Sequence, residues 1–578
     1  MNLRRPLHRN SNANSANPCD PLAPDGRQDA PIPIAVSAVC ATPAGSATAP
    51  RRVRREQARR IRRFLGALGG FAMCVALPLA IFQIVLYRQN LAIAHETFPL
   101  APTFTSQDRL LVLSPHCDDE TLGVGGTLAA ARSAGAAVRV VFLTNGDGSR
   151  STQLGEGVKH PSNLLHRRNS LQQLAYMRQR ETIAALGELG VAPSDVIFLG
   201  YPDGGTKEMW ENYWSPRKLY RSNYTGVKRS PYTNSRTPQA AYCGSQALKD
   251  VTDAIAEWQP TVVFTTHPND THPDHWAAYA YSRAALEMLR LRPATRTWAG
   301  QTQLLTFLVH RGWWPAPHGY HPDAHLAPPS FLKDTGTHWA QSPLDEPSRT
   351  AKQAALERYV SQLTFTPQYL RGFLRRDELF GTVPVNALAS HPVAPAQAAT
   401  NGHHKNGHHK TSASPILLVQ DPTHDSLLHD VWAAADLQSI TAIPHTLTDG
   451  LTLQIGLAKP VSPRLTYRLC LHALTGDAVQ NRIVNVQWRN NNWQATLDNM
   501  PGQLPLQLTA SGFDLALPRA ILKFPAGAYT LLVSASTHLG STCIDQTETG
   551  TLRLAAPTIE VHKPLAIHAQ SLLHVFTG

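Results

Sequence analysis

From residue 109 onward, short apolar runs rich in β-branched residues alternate with helix-length stretches rich in Ala and Leu, and this alternation constrains the fold more than any other feature. Residues 109–113, 138–143, 196–199 and 262–265 read as strands, and residues 122–133, 171–189 and 246–257 as the helices between them. Such repetition predicts a Rossmann-like α/β domain with a mainly parallel sheet covered by helices on both faces. Ligands of such sheets bind beyond the carboxyl ends of the strands. Two polar segments fall there: His116-Cys117-Asp118-Asp119-Glu120 after Leu113, and His272-Pro273-Asp274-His275 after Thr266.

The two segments hold the donors of a catalytic Zn²⁺ site. His116 and Asp119 are three residues apart on a turn leading into a helix, so both can face one ion. Asp118 then points elsewhere and is left to take a proton from water. His275 supplies a third ligand and leaves a position open for water. Asp274 is suited to orient a ligating imidazole through its other nitrogen. His272 reaches the open side, where as an imidazolium it would stabilise an oxyanion or protonate a leaving amine. Glu120 is expected to cap the following helix. Each segment alone has a plainer reading: an Asp-Asp pair after a strand caps a helix or holds a metal for phosphate chemistry, and HPDH makes a surface turn. Their joint occurrence at strand ends of one domain favours the metal site. Cys117 is a further candidate ligand, but its side chain should point away from His116 and Asp119.

A chain of 578 residues is too long for one ordinary core. Its net charge of +12 comes mostly from eight arginines in RRVRREQARRIRR at residues 51–63, so the remainder gives no basis for a nucleic-acid groove. The 24 residues that follow, 64–87, carry no charge and are long enough for a single transmembrane helix. The positive-inside rule puts the arginine-rich tail (1–63, its first 50 residues disordered) in the cytoplasm. The catalytic domain then lies outside it, in the periplasm if the membrane is a bacterial inner membrane. A spacer (88–106) leads to the α/β domain (107–385), whose last helices are expected at residues 348–363 and 369–380. The aromatic loop 201–242 should wall the substrate cleft, its rings either stacking on sugars or packing within the loop. A His/Pro/Ala-rich linker (386–414) containing NGHHKNGHHK precedes a β-sandwich accessory domain (415–578), a candidate module for a glycan or protein partner. Cys470 and Cys543 in that domain are candidates for a disulfide in an oxidising compartment.

The segments SPHCDDETLGVGG, MRQRETIAALGELGV, FLGYPDGG and HPNDTHPDH, in that order, resemble the PIG-L/LmbE-like zinc-dependent N-acetylglucosamine deacetylases. KQAALERYVSQL followed by RRDELF looks like the end of that domain, so the resemblance covers residues 107–382. It implies an LmbE-type fold with His116, Asp119 and His275 as zinc ligands, Asp118 as general base and His272 as electrostatic or acid partner. It also implies substrate-site roles for Arg178, Asp203 and Asp270. Two features depart from the family pattern: Cys117 stands where Pro is usual, and the stretch between Asp203 and the second segment is long. The expected activity is hydrolysis of the N-acetyl group of a GlcNAc-containing glycan, glycolipid or glycoconjugate by a membrane-anchored enzyme. A zinc amidase for another acylated amine, and a non-catalytic envelope protein that binds carbohydrate, are the alternatives.

Overall fold

The computed structural model describes residues 51–148, 167–388, 414–422, 432–445, 450–498, 504–525 and 527–555. The expectations for residues 1–50 and for most of the linker lie outside these. Two units are distinguished, Met1–Ala72 and Met73–Gly578.

Strands β1 (Arg109–Ser114), β2 (Ala137–Thr144), β3 (Val196–Tyr201), β4 (Val262–Thr266) and β5 (Gln303–Phe307) pair in parallel in the order 3-2-1-4-5. Strands β6 (His338–Pro343) and β7 (Asp377–Thr382) extend the β5 edge antiparallel, β7 innermost. Side chains alternate across a strand, so β1 feeds two cores. Leu110 and Val112 enter one, beneath α2 (Asp119–Ser133), α3 (Arg167–Glu188) and a later helix at Glu346–Glu357. Leu111 and Leu113 enter the other, beneath α5 (Gly244–Trp258) and α6 (Pro273–Leu291), with α4 (Thr206–Glu211) beside them. The α2 backbone comes so close to the sheet that a Cβ on Gly123 would lie 2.0 Å from the Phe307 ring. Strand order reverses between β1 and β4, and both polar segments follow these two neighbouring strands. The site therefore sits at the sheet's topological switch point.

Several sequence expectations change. Helix α1 runs Arg51–Ile93 without a break, so residues 51–63 and the start of the expected spacer are helical. Over Ala76–Ile93 it is long and apolar enough to cross a membrane, with a mean hydropathy of 1.3. Its last turns rest on the α/β domain: Tyr87 stacks on His318 at 5.3 Å, and the buried Asn90 accepts a hydrogen bond from Ser330 N at 3.0 Å. The helix expected at 348–363 ends at Glu357, and Val360–Leu363 forms a separate turn. The helix expected at 369–380 is instead a five-residue turn, Pro367–Arg371, followed by strand β7. Pairing with β6 and burial on both faces override the local pattern there. In the 201–242 loop, Trp210, Tyr220, Tyr232 and Tyr242 are buried, so these rings pack within the domain and are not offered to a sugar.

The C-terminal region forms two sheets. Five antiparallel strands, among them β9 (Ile416–Gln420), β10 (Leu437–Pro444) and β11 (Gly450–Leu457), make the first. Strands β15 (Leu506–Thr509) and β16 (Gly512–Pro518) complete it, and the second sheet includes β12 (Thr466–Leu474), β13 (Val479–Arg489), β14 (Asn492–Leu497), β17 (Tyr529–Leu539), β18 (Thr542–Gln546) and β19 (Gly550–Leu554). Ile455 and Phe513 from one sheet and Leu469 and Val533 from the other share one hydrophobic core. Cys470 and Cys543 are both free, so the suggested disulfide is not formed. Residues 386–388, expected to open the linker, form strand β8 (Asn386–Leu388), which pairs parallel with β19. Asn386 Nδ2 donates to Leu417 O at 3.0 Å, so the residues on either side of the linker touch. Leu474 of β12 and Leu532 of β17 join the α5/α6 core of the α/β domain.

Candidate active site

Three atoms mark the centre of the site. His116 Nδ1 lies 3.1 Å from Asp119 Oδ2 and 3.2 Å from His275 Nε2, and the last two are 3.1 Å apart. A tetrahedral ion with ligands at about 2.0–2.1 Å needs them about 3.3–3.4 Å apart, so this near-equilateral triangle fits one divalent cation. His272 joins His116 and His275, and His310 joins Asp119 and His275, in further groups able to hold a metal.

Each imidazole is oriented through its second nitrogen. His275 Nδ1 faces Asp270 Oδ2 at 3.0 Å, and His116 Nε2 faces Asp274 Oδ2 at 3.2 Å and Asp203 Oδ1 at 3.5 Å. Asp270 was expected to line the substrate pocket, but its carboxylate is otherwise engaged. Oδ2 also accepts from Val309 N (3.0 Å) and His310 N (2.8 Å), and Oδ1 accepts from His272 N (2.9 Å). These four donors make it the anchor of the second segment. Asp274 is tied equally firmly, accepting from Gly204 N at 2.6 Å, Thr206 N at 3.0 Å and Thr206 Oγ1 at 2.5 Å. Asp203 accepts from Gly148 N at 2.9 Å.

Asp118 is held in a different way. It adopts φ 142°, a region that costs a non-glycine residue about 1–3 kcal/mol and that recurs at functional sites. Its N–H donates to Glu120 Oε2 at 3.1 Å, and its carbonyl accepts from Thr121 N and Leu122 N at 3.0 Å each. Glu120 thus serves the helix start, and its other oxygen accepts from Thr121 Oγ1 and Tyr359 Oη. Arg178, expected to bind substrate, is only 3% exposed and spends its donors on Cys117 O (2.7 Å), Gly146 O (3.1 Å) and Asp118 Oδ1 (3.3 Å). It therefore buttresses Asp118. Gly146 is at φ 65°, and a Cβ there would sit 2.0 Å from Arg178 Nη1, so only glycine admits this guanidinium. Cys117 points into the core, where burial pushes its thiol up to about 12.

Burial raises the Asp118 carboxyl to about 7 against the opposing pull of Arg178. His275 is also raised, but for the opposite reason: burial disfavours its charge, and Asp119 and Asp270 outweigh burial and raise it to about 9. Asp119, Asp203, Asp270 and Asp274 all lie below the usual carboxylate range, because charged and hydrogen-bonding imidazoles outweigh their burial. Four buried, ionised carboxylates around two imidazoles form a donor set suited to a cation. His272 is pushed down to about 4 by burial and by His116, so it is neutral and not the imidazolium expected from sequence. Its Nδ1 accepts from Asp274 N at 3.3 Å, which leaves the proton on Nε2.

Sequence reasoning missed three groups. Asp147, pushed up to about 7 by burial and by Asp203, accepts from Tyr232 Oη at 2.6 Å. His310 packs 4.8 Å from the His275 ring, and Tyr369 lies 3.2 Å from His310 Nδ1. A sequence signal for His310 does exist: it ends the apolar run 304–309 as a third polar residue beyond a strand. Tyr369 has no local signal.

The family model PIG-L: GlcNAc-PI de-N-acetylase matches residues 111–286. A 1D-myo-inositol 2-acetamido-2-deoxy-alpha-D-glucopyranoside deacetylase of Rhodococcus erythropolis is 32% identical over 32% of this chain and 54% of its own length. The protein of the same name from Mycobacteroides abscessus is 28% identical over 44% of this chain and 82% of its own. The chain thus spans about half the length of the first of these relatives. Among solved structures, the A40926 pseudoaglycone deacetylase Dbv21 aligns at 21% identity, covering 48% of this chain and 96% of that one, with a TM-score of 0.29. Strand order, the converging His/Asp triangle and the family match fall within the same α/β domain, and over residues 111–286 this chain is similar to the PIG-L family.

Proposed function

We propose that the chain is a zinc-dependent deacetylase that hydrolyses the N-acetyl group of a GlcNAc-containing glycan, glycolipid or glycoconjugate. The observation that carries this reading is the triangle of His116, Asp119 and His275 beside a carboxylate, Asp118, that takes no part in it. The donor set fits Zn²⁺, which when bound supplies Lewis acidity toward an amide carbonyl and lowers the pKa of water. Asp118, held near 7 by burial, accepts the proton of the attacking water and returns it to the departing amine, the range in which one group serves both steps at neutral pH. Arg178 keeps that carboxylate in place. His272, neutral with its proton on Nε2, donates a hydrogen bond to the oxygen that gains charge as the carbonyl becomes tetrahedral. Asp270 and Asp274 hold the two imidazoles in register.

The apolar stretch of α1 supports membrane anchoring, with the arginine run on the cytoplasmic side and the α/β domain on the other. The names of the curated relatives support an N-acetylated amino sugar as substrate. The test is acetate release by the full chain from a panel of N-acetylglucosaminyl glycoconjugates. Asp118→Asn should lose at least a hundredfold in kcat, at the low end of what general acid–base catalysis contributes. Equal turnover by the variant refutes the mechanism, and no acetate from any substrate refutes the activity.

A further inference from the structure

The connection between β18 and β19, residues 547–549, is buried throughout, with Thr547 0%, Glu548 3% and Thr549 1% exposed. Strand connections normally lie at the surface, where water satisfies their polar groups. This one is turned instead toward the metal site of the α/β domain. Glu548 Oε2 accepts from Asn269 Nδ2 at 3.3 Å, and Thr547 O accepts from Trp276 Nε1 at 3.1 Å. Asn269 immediately precedes Asp270, and Trp276 immediately follows His275. The two residues whose 3.0 Å contact orients the His275 ring are thus gripped from outside, each through its chain neighbour. Thr547 is itself fixed to β17 by Ala535 N→Thr547 Oγ1 at 3.0 Å and Thr547 N→Ala535 O at 3.0 Å, so the grip is anchored in the C-terminal sheet. Gln546 Nε2 adds a contact to Glu211 Oε1 of α4 at 3.1 Å.

We infer that the C-terminal β domain is a working part of the metal site, and that Glu548 and Thr547 are positioning residues that hold the segment 269–276 so that Asp270 keeps His275 in ligating orientation. This inference rests on the metal-hydrolase reading of the site. It goes beyond the expectation of an accessory module for a glycan or protein partner.

The test measures Zn²⁺ affinity of the full chain in mild detergent by competition with a chromogenic chelator, alongside kcat, KM and the thermal midpoint. Glu548→Ala should weaken Zn²⁺ binding about tenfold, the lower end for loss of an outer partner of a metal ligand. Glu548→Gln keeps an acceptor for Asn269 and should restore affinity to within about threefold of the unaltered chain. Trp276→Phe, which removes the Nε1 donor together with part of the buried indole, should fall between them. Arg292→Ala breaks Arg292 Nε→Gly476 O (2.5 Å) at the same domain boundary but away from the loop, and should leave affinity unchanged even where it lowers the midpoint. Glu548→Ala within twofold of the unaltered chain, or Arg292→Ala weakening Zn²⁺ as much, overturns the inference. An unaltered chain that binds no Zn²⁺ overturns both the inference and the functional reading beneath it.

Discussion

Asp270→Asn perturbs the site at the point where its geometry is most tightly specified. In the structure one oxygen, Oδ2, accepts from His275 Nδ1, Val309 N and His310 N, and the other accepts from His272 N. An asparagine can present its carbonyl to only one of these sets. With oxygen kept on the three-donor side, its NH₂ meets the His272 N–H donor to donor, one lost hydrogen bond and one buried clash, about 1–3 kcal/mol in stability. The charge is lost as well. His275 then loses the carboxylate that fixes its tautomer and raises its basicity, and metal affinity should fall about 10–100-fold, or about 1.4–2.7 kcal/mol. Chelator competition for Zn²⁺, with far-UV circular dichroism to establish folding, reads the effect directly. The side chain is isosteric, so cavity formation cannot account for a loss. A folded Asp270→Asn chain that holds Zn²⁺ within twofold of the unaltered protein would refute the claim that this carboxylate orients a ligand.

Three more outcomes follow from particular contacts. Lys352 Nζ lies 2.6 Å from Glu378 Oε1, and both side chains are buried, with Glu378 also accepting from Gly126 N and Thr127 N of α2. Glu378→Ala leaves that ammonium unpaired and should cost about 3–5 kcal/mol by denaturant titration, much of it regained in Lys352→Met/Glu378→Leu. Gly123→Ala drives a methyl into the Phe307 ring and should cost about 1–3 kcal/mol in the same titration, with no loss if α2 can move away from the sheet. In the metal-free chain His275 is raised in the fold to about 9, so its contribution is fully present below about pH 6.5 and is lost as pH rises to about 9. Thermal midpoints of metal-free protein should decline over that window through this group, and replacing His275 with Gln should flatten that part of the profile.

The sheet and the pairing of His116 with Asp119 were legible because they depend on short-range pattern: β-branched runs set the strands, and a spacing of three placed both side chains on one turn. What was not legible depends on contacts between distant segments. Arg178 and Asp270 look like substrate residues from their motifs, yet each is consumed by local donors or acceptors that only the folded backbone brings near. The sequence 377–380 reads as helical until β6, some 40 residues upstream, pairs with it. His310 and Tyr369 reach the site from the last parallel strand and from a turn that no local pattern announces. The β domain's strands were readable from their alternation, but its hold on the metal segment comes from two side-chain contacts spanning more than 270 residues of sequence.

The parallel strand β8 changes the meaning of the histidine-rich stretch behind it. A tether sets how far one domain can stray from another, so its length tunes their effective concentration. Here the chain is already seated in the C-terminal sheet before that stretch begins, and Asn386 touches Leu417 on its far side. The described residues on either side of that stretch are therefore held together by the C-terminal sheet. The separation of the two halves of the chain is thus set by strand pairing and by the Asn386–Leu417 contact, and not by the number of residues that join them.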